Sequence, residues 1–291
     1  MFPELIWQIF ALVLLVIGTL AVWRMARSKA PPTPAAEGQL ALVLFSAMTT
    51  GGFLGGLAWW ANYPASFAWD LPPLASRLLA SAGWAYAAAG LYGLSRPDRE
   101  HMRLLAVLLA VYLAPLALAI AGLHLDRFDW QAAITPAFFA IVLPMTLGAL
   151  WFSVRPIALA PDVKTPAAGP LPRTFLMVSL VAFGAWGLAI FTLPDGPVKA
   201  VWLWPTDPLT SRLIGVMLLA LASASAMARR EIRLTRAALL FHAVYGFCAL
   251  AAVLWNLTSG MPVPLFYAAM LGGTGLAAAL ILAKDRGNPA V

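Results

Sequence analysis

The chain has 291 residues, of which 62% are hydrophobic and only 11% are charged, and its mean hydropathy is +0.84. A soluble domain ordinarily carries about 25% charged residues, so the composition excludes a soluble globular protein. The net charge of +7 and the single cysteine, Cys248, exclude little else. Basic residues of a membrane protein mark its cytoplasmic loops rather than a nucleic-acid partner, and one cysteine forms neither an intramolecular disulfide nor a thiolate metal cluster.

Nine apolar blocks follow one another along the chain, each close to the roughly 20 residues that a helix needs to cross a bilayer. They predict transmembrane helices at 3–23, 39–60, 73–95, 104–124, 132–153, 173–193, 208–228, 237–256 and 263–283. The first block is not typical of a secretory signal, because its basic residues follow the apolar run instead of preceding it. We therefore expect an all-α integral membrane protein of about nine transmembrane helices.

The basic residues alternate between the two sides of this predicted bundle. If the N-terminus lies outside, 15 of the 19 basic residues fall in cytoplasmic segments, and only Arg77, Arg127, Lys199 and Arg212 fall outside. The positive-inside rule then places the N-terminus outside and the C-terminus in the cytoplasm. Most tryptophans fall at the predicted outer ends of helices, where indole rings prefer the membrane–water interface.

A sequence motif occurs twice in the chain. At a constant offset of 135, five of the six residues in 73–78 are identical to those in 208–213, and a tryptophan precedes each copy, Trp69 and Trp204. Weaker matches follow at an offset of 133, where Arg103 corresponds to Arg236, and then at an offset of 128. Internal repeats of this kind indicate a duplicated structural unit.

The duplication predicts a division of the chain into segments. An N-terminal helix in 1–30 precedes two four-helix repeats, 39–153 and 173–283, and the proline-rich segment 154–172 is a cytoplasmic linker. Because each repeat contains an even number of helices, the two repeats run parallel. They should therefore be related by an axis along the membrane normal.

Arg77 and Arg212 each follow the proline that opens the repeated motif. At 1.5 Å per residue they lie about 6 Å inside the helix start, where a guanidinium needs a partner or a path back to the headgroups. In a structural interpretation, which is favoured, each bonds loop carbonyls, lipid or a carboxylate such as Asp70 or Asp207. In a functional interpretation, Arg77 and Arg212 join Trp69 and Trp204 in binding an anionic ligand at the outer face.

Most patterns that would indicate catalysis are missing from the sequence. None of the 12 acidic residues lies in the middle of a predicted helix, whereas ion-coupled carriers generally use buried carboxylates. The sequence also contains no phosphate-binding glycine loop with lysine and no His-Glu-x-x-His zinc motif. We name no catalytic residue, and the interpretation leans away from an enzyme.

The three histidines give only weak cofactor and metal hypotheses. His124 ends helix four at the outer side and His242 lies near the cytoplasmic end of helix eight, so they cannot be two axial ligands of one haem. No cofactor is predicted, and a hydrogen-bonded core histidine is favoured at His242 over a single-ligand haem or chlorophyll. His124, Asp126 and Asp129 share an outer loop and form a weak candidate for a metal site.

The stretch Trp204-Pro-Thr-Asp-Pro-Leu-Thr-Ser-Arg212 resembles a motif of multi-pass membrane proteins from high-GC bacteria, in which Trp-Pro-x-x-Pro-Leu-Thr-x-Arg opens a helix. The resemblance implies a bacterial cytoplasmic membrane and no particular activity.

The scarcity of buried polar residues leads to a functional expectation. We expect a non-catalytic accessory, scaffold or assembly subunit of a larger membrane complex, in contact with the lipid bilayer and with other membrane subunits but not with nucleic acid. The alternative is a carrier or binding protein for an anionic amphiphile or lipid at the outer face.

Overall fold

The computed structural model describes residues 2–31, 35–155, 157, 159, 169–196, 207–229, 231–261, 263 and 265–285. Within these residues the chain forms nine α-helices and two short 3-10 turns, and no strand. The α-helices are α1 Phe2–Lys29, α2 Ala36–Trp60, α3 Pro73–Leu94, α4 Arg99–Leu123, α5 Ile134–Val154, α6 Pro170–Thr192, α7 Pro208–Ala228, α8 Ile232–Thr258 and α9 Leu265–Asp285. The predicted all-α, multi-pass fold class is confirmed.

Several helices continue beyond the apolar runs that predicted them. The first ends at Lys29 rather than 23, α4 begins at Arg99 rather than 104, and α8 begins at Ile232 rather than 237. Arginine and lysine are good helix formers, so the helix continues after the apolar run stops. Hydropathy therefore marks the apolar part of each helix and underestimates its length at the basic ends.

Eight of the nine helices are long and apolar enough to cross a membrane, and α3 is the exception. In this 22-residue helix, Ala, Gly and Ser are frequent and 16 residues are buried. It packs against α2 and α8 and makes smaller contacts with α1, α4 and α7. Because α3 touches mainly protein, it needs small residues for close packing more than it needs the hydropathy of a lipid-facing helix.

We call helices α2–α5 unit 1 and helices α6–α9 unit 2. When the helices of one unit are exchanged in order for those of the other, the main helix contacts form matching pairs. The second helix packs on α3 as α6 packs on α7, and α4 packs on α5 as α8 packs on α9. Between the units, α3 packs on α8 as α7 packs on α4, more extensively than α3 packs on α4 or α7 on α8. The units therefore interlock, in the pattern that two copies related by a twofold axis produce.

Glycine allows the closest helix approach in both units. A Cβ added at Gly52 in α2 would lie 2.6 Å from the carbonyl oxygen of Gly83 in α3. The corresponding crossing in unit 2 brings Gly187 of α6 to Gly215 of α7, where an added Cβ would lie 2.8 Å from the Gly215 carbonyl oxygen. Both distances are shorter than van der Waals contact, so these positions require glycine for the observed helix spacing.

Candidate functional site

The two arginines of the repeated motif lie at the end of the bundle where α3 and α7 begin and α4 and α8 end, here called the aromatic end. Arg77 lies in the second turn of α3, and its Nη1 donates a 3.1 Å hydrogen bond to Oδ1 of Asn256, in the last turn of α8. Its guanidinium carbon also lies 5.2 Å from the ring centroid of Trp255. Since Asn256 is buried, this contact joins unit 1 to unit 2 in a largely desolvated place, where a charge-assisted hydrogen bond is strongest.

Arg212 makes the reciprocal contact, from unit 2 to unit 1. Its Nη1 lies 2.6 Å from Nε2 of His124, the residue that follows α4. Burial lowers the pKa of His124, and the adjacent positive charge of Arg212 lowers this pKa further. A guanidinium has only donors, so the neutral imidazole accepts through Nε2.

Neither arginine pairs with the carboxylates that the sequence suggested. Asp207 caps α7 by accepting from the Thr210 backbone N–H at 3.3 Å and from the Thr210 hydroxyl. Its carboxylate also lies 3.6 Å from Nη2 of Arg127, in the loop between α4 and α5. The described partners of Arg77 and Arg212 are thus neutral side chains at the ends of helices in the other unit.

Trp69 is a core residue at the aromatic end. Its side chain is buried, with ring centroids 4.3 Å from Phe67, 5.3 Å from Phe128 and 5.8 Å from Phe138. The aromatic cluster around it closes the aromatic end over α3 and α7. Trp204, its predicted counterpart, lies outside the described residues.

His242 is fully buried in α8, and both of its ring nitrogens have protein partners. Nδ1 lies 2.8 Å from the carbonyl oxygen of Ala238, and Nε2 lies 3.2 Å from Oγ of Ser225 in α7. The ring packs against Phe175 and Phe183 of α6. An axial ligand needs a ring nitrogen free for the metal, whereas both ring nitrogens of His242 have protein partners in this structure.

The outer-loop metal hypothesis is not supported by the geometry either. No group of three His, Cys, Asp or Glu residues that could hold a metal ion occurs in the described part of the chain. Nε2 of His124 faces the Arg212 guanidinium, and Oδ1 of Asp129 accepts the backbone N–H of Gln131 at 2.9 Å. A guanidinium on the imidazole nitrogen opposes a second cation at the same atom.

A third contact between the units lies at the opposite end of the bundle, where α4 and α8 begin, here called the basic end. Asp98 caps α4 by accepting the His101 N–H at 2.9 Å, and its Oδ2 lies 2.9 Å from Nδ1 of His101 and 3.6 Å from Nη1 of Arg233 in α8. Burial alone would raise the pKa of Asp98, but its hydrogen bonds to His101 and the positive charge of Arg233 lower it below the usual value.

The basic end also carries a pocket of about 140 Å³ between the start of α4 and the end of α5. It is lined by Arg99, Arg103, Ser153, Val154, Arg155 and Ile157. Three of these six residues carry a guanidinium and none carries a carboxylate, so the lining suits an anion. The sequence predicted no site at these arginines, because the packing of α4 on α5 that brings them together is not visible in it.

Asn256 and His124 were likewise missed as partners of the arginines. Applying the 133-residue offset to His124 gives position 257, one residue from Asn256. This near-equivalence was a usable signal. Two polar residues at matching helix ends, opposite two arginines at matching helix starts, predict a reciprocal pair of contacts under twofold symmetry.

The fold and these contacts define a multi-pass helical membrane protein whose two units are joined at both ends by polar side chains. Comparison of the chain with protein-family models, with curated proteins and with solved structures gave no match.

Proposed function

We propose that this protein is a non-catalytic subunit of a larger membrane assembly and acts as a scaffold. The proposal rests on one observation, namely that polar residues near the helix ends form contacts between the two units. The contacts Arg77–Asn256, Arg212–His124 and Asp98–Arg233 all join unit 1 to unit 2. At the aromatic end, the Nη1 atoms of Arg77 and Arg212 are thereby engaged in holding the two units together.

The first helix is the surface we assign to a partner. It packs on α2 and, more weakly, on α3, and its apolar 18-residue window contains no buried residue. The exposed side chains include Val13, Ile17 and Leu20. A transmembrane helix of another subunit would bury this apolar face by close packing, as helices associate in membranes.

The test is site-specific photocrosslinking of the full-length protein in native membranes. A crosslinker placed at Val13 or Ile17 should yield one defined protein adduct. At Val181 or Leu188 on α6, which are also exposed, it should yield none. If α1 gives only lipid adducts and the protein purifies as a solitary monomer, the scaffold proposal is wrong.

We also propose a bacterial cytoplasmic membrane with the N-terminus outside and the C-terminus in the cytoplasm. The distribution of the 19 basic residues, 15 on the predicted cytoplasmic side, supports this orientation. A fluorescent protein that folds only in the cytoplasm should fluoresce when it is fused to the C-terminus. Alkaline phosphatase, which is active only outside, should be inactive in the same position. The reverse result would overturn the orientation.

A further inference from the structure

The pocket at the basic end brings together guanidinium groups from α4 and from the end of α5. Arg99 and Arg103 line it from the first turns of α4, and Arg155 lines it from the residue that follows α5. Arg103 and Arg155 are exposed. Arg103 and Arg155 thus present two exposed like charges to one cavity, which a bound anion would stabilise.

An apolar stripe leads from this pocket along the surface of α5. Leu143, Leu147, Leu150 and Val154 recur at the spacing of one helix face, and all four are exposed, Leu147 at 68% and Val154 at 81%. Val154 belongs to both features, since it also lines the pocket. The stripe is therefore continuous with the arginine lining.

Trp151 and Arg155 lie at the junction between the stripe and the pocket. The guanidinium carbon of Arg155 lies 4.2 Å from the ring centroid of Trp151, one helical turn earlier. Tryptophan prefers the boundary between hydrocarbon and headgroups, and a cation stacked on its face is held in place. This pair fixes a positive charge at the depth where a lipid carries its phosphate.

We propose that the pocket binds the headgroup of an anionic phospholipid, whose acyl chains lie along the exposed face of α5. Guanidinium groups bind phosphate oxygens in a bidentate geometry, and basic pockets between transmembrane helices are suited to anionic headgroups. Inorganic phosphate offers the same phosphate chemistry, but it would leave the α5 stripe without a role. The site does not depend on whether the protein has partner subunits.

The corresponding region of unit 2 does not repeat the site. At the offsets of the duplication, 133 in α4 and 128 in α5, Arg103 corresponds to Arg236, but Arg99 corresponds to Ile232 and Arg155 to Ala283. Two of the three arginines are thus not repeated at the corresponding positions of unit 2. A purely architectural role would not require this difference between the units.

The test is native mass spectrometry of the full-length protein in detergent, titrated with phosphatidylglycerol, with phosphatidylcholine and with inorganic phosphate. The unmodified protein should retain phosphatidylglycerol in preference to phosphatidylcholine, and inorganic phosphate should not displace the lipid at equal concentration. The double variant R103Q/R155Q should bind phosphatidylglycerol at least about tenfold more weakly, because charge-assisted hydrogen bonds are lost. Both positions are exposed, so folding should be unaffected.

Arg96 provides a matched control. It also follows a helix at the basic end, it is exposed, and its guanidinium carbon lies 4.9 Å from the ring centroid of Tyr92, one turn earlier. The variant R96Q should retain the lipid fully, and R155K should retain part of the affinity.

Three results would each overturn the proposal. They are undiminished binding of phosphatidylglycerol by R103Q/R155Q, an equal loss in R96Q, and equal binding of inorganic phosphate and phosphatidylglycerol by the unmodified protein.

Discussion

Unit 1 and unit 2 share the contacts that hold the bundle together and differ in the residues around them. Both have a glycine crossing, Gly52 on Gly83 and Gly187 on Gly215, and both send the motif arginine to the other unit. The arginine partner differs, however, since it is the amide of Asn256 in one case and the imidazole of His124 in the other. Features that both units share stabilise the common architecture. Features found in only one unit are the candidates for a specific role.

The starts of α7 and α3, which both lie at the aromatic end, also differ. The seventh helix begins with the side-chain cap of Asp207, whereas α3 begins after Pro72, which offers no side-chain cap. At the basic end, the arginine-lined pocket belongs to unit 1. The following predictions test which of these features are equivalent between the units and which are not.

The largest expected effect comes from the two glycine crossings. Gly52→Ala and Gly187→Ala should each destabilise the protein by about 1–3 kcal/mol, because each added Cβ collides with a backbone carbonyl that cannot move without separating the helices. Thermal unfolding in detergent measures the loss.

Neighbouring glycines on the same helices are the controls for that prediction. A Cβ at Gly51 or Gly184 meets its nearest atom at 3.7 Å, which is ordinary contact. Gly51→Ala and Gly184→Ala should therefore be neutral or slightly stabilising, since alanine is the better helix former. If all four variants behave alike, the close crossing does not determine stability.

The next effect comes from the two arginine contacts. Arg77→Gln and Arg212→Gln should each cost about 1.5 kcal/mol, the low end of the range for a hydrogen bond to a charged group, because both arginines are only partly buried. Similar losses in the two variants would support the equivalence of the units. Arg96→Gln, at an exposed arginine of the opposite end, should change the unfolding midpoint very little. A loss in only one of the two units would show that the contacts are not equivalent.

These contacts mark the boundary of what the sequence could predict. The number of helices and the position of nearly every one followed from apolar blocks of about 20 residues, since the bilayer imposes that length. The partners of the arginines did not follow, because Arg77 and Asn256 are 179 residues apart and Arg212 and His124 are 88 apart. A pairing between distant segments depends on helix packing, which hydropathy does not describe.

The aromatic neighbours of Trp69 could not be predicted for a similar physical reason. Tryptophan near a helix end favours the membrane interface on average, but the same ring is also large enough to fill a core. Phe67, Phe128 and Phe138 come from three different segments, and only the folded chain brings them around Trp69. The arginine pocket was missed for the same reason, because its lining comes from helices that are consecutive in sequence but meet only through their packing.

A smaller effect is expected from the side-chain cap that α7 has and α3 lacks. Asp207→Ala should destabilise by about 1 kcal/mol, the usual cost of losing an N-cap side chain, because the backbone N–H of Thr210 loses its acceptor. Asp207→Asn keeps a capping oxygen but weakens the ion pair with Arg127, so it should cost less. Pro72→Ala at the corresponding position in unit 1 should cost less than Asp207→Ala. Chemical denaturation in mixed micelles would rank the three variants, and an equal cost for Asp207→Ala and Asp207→Asn would assign the stabilisation to the ion pair.

The smallest effect is a dependence on pH that only one of the two arginine contacts should show. The pKa of His124 is lowered in the folded protein by burial and by Arg212, so below pH 6.5, the ordinary value, the unfolded chain takes up the proton first. Stability is therefore complete above about pH 6.5 and falls as the pH is lowered through that value. Protonation also removes the lone pair with which Nε2 accepts from Arg212.

The unfolding midpoint of the unmodified protein should decrease when the pH is lowered from 7.5 to 5.5. His124→Asn, which copies the amide of the Arg77–Asn256 contact, should flatten this dependence, whereas Asn256→His should steepen it by adding a second titrating contact. If His124→Asn leaves the pH profile unchanged, the titrating group lies elsewhere, and the two arginine contacts do not differ in the way that their partners indicate.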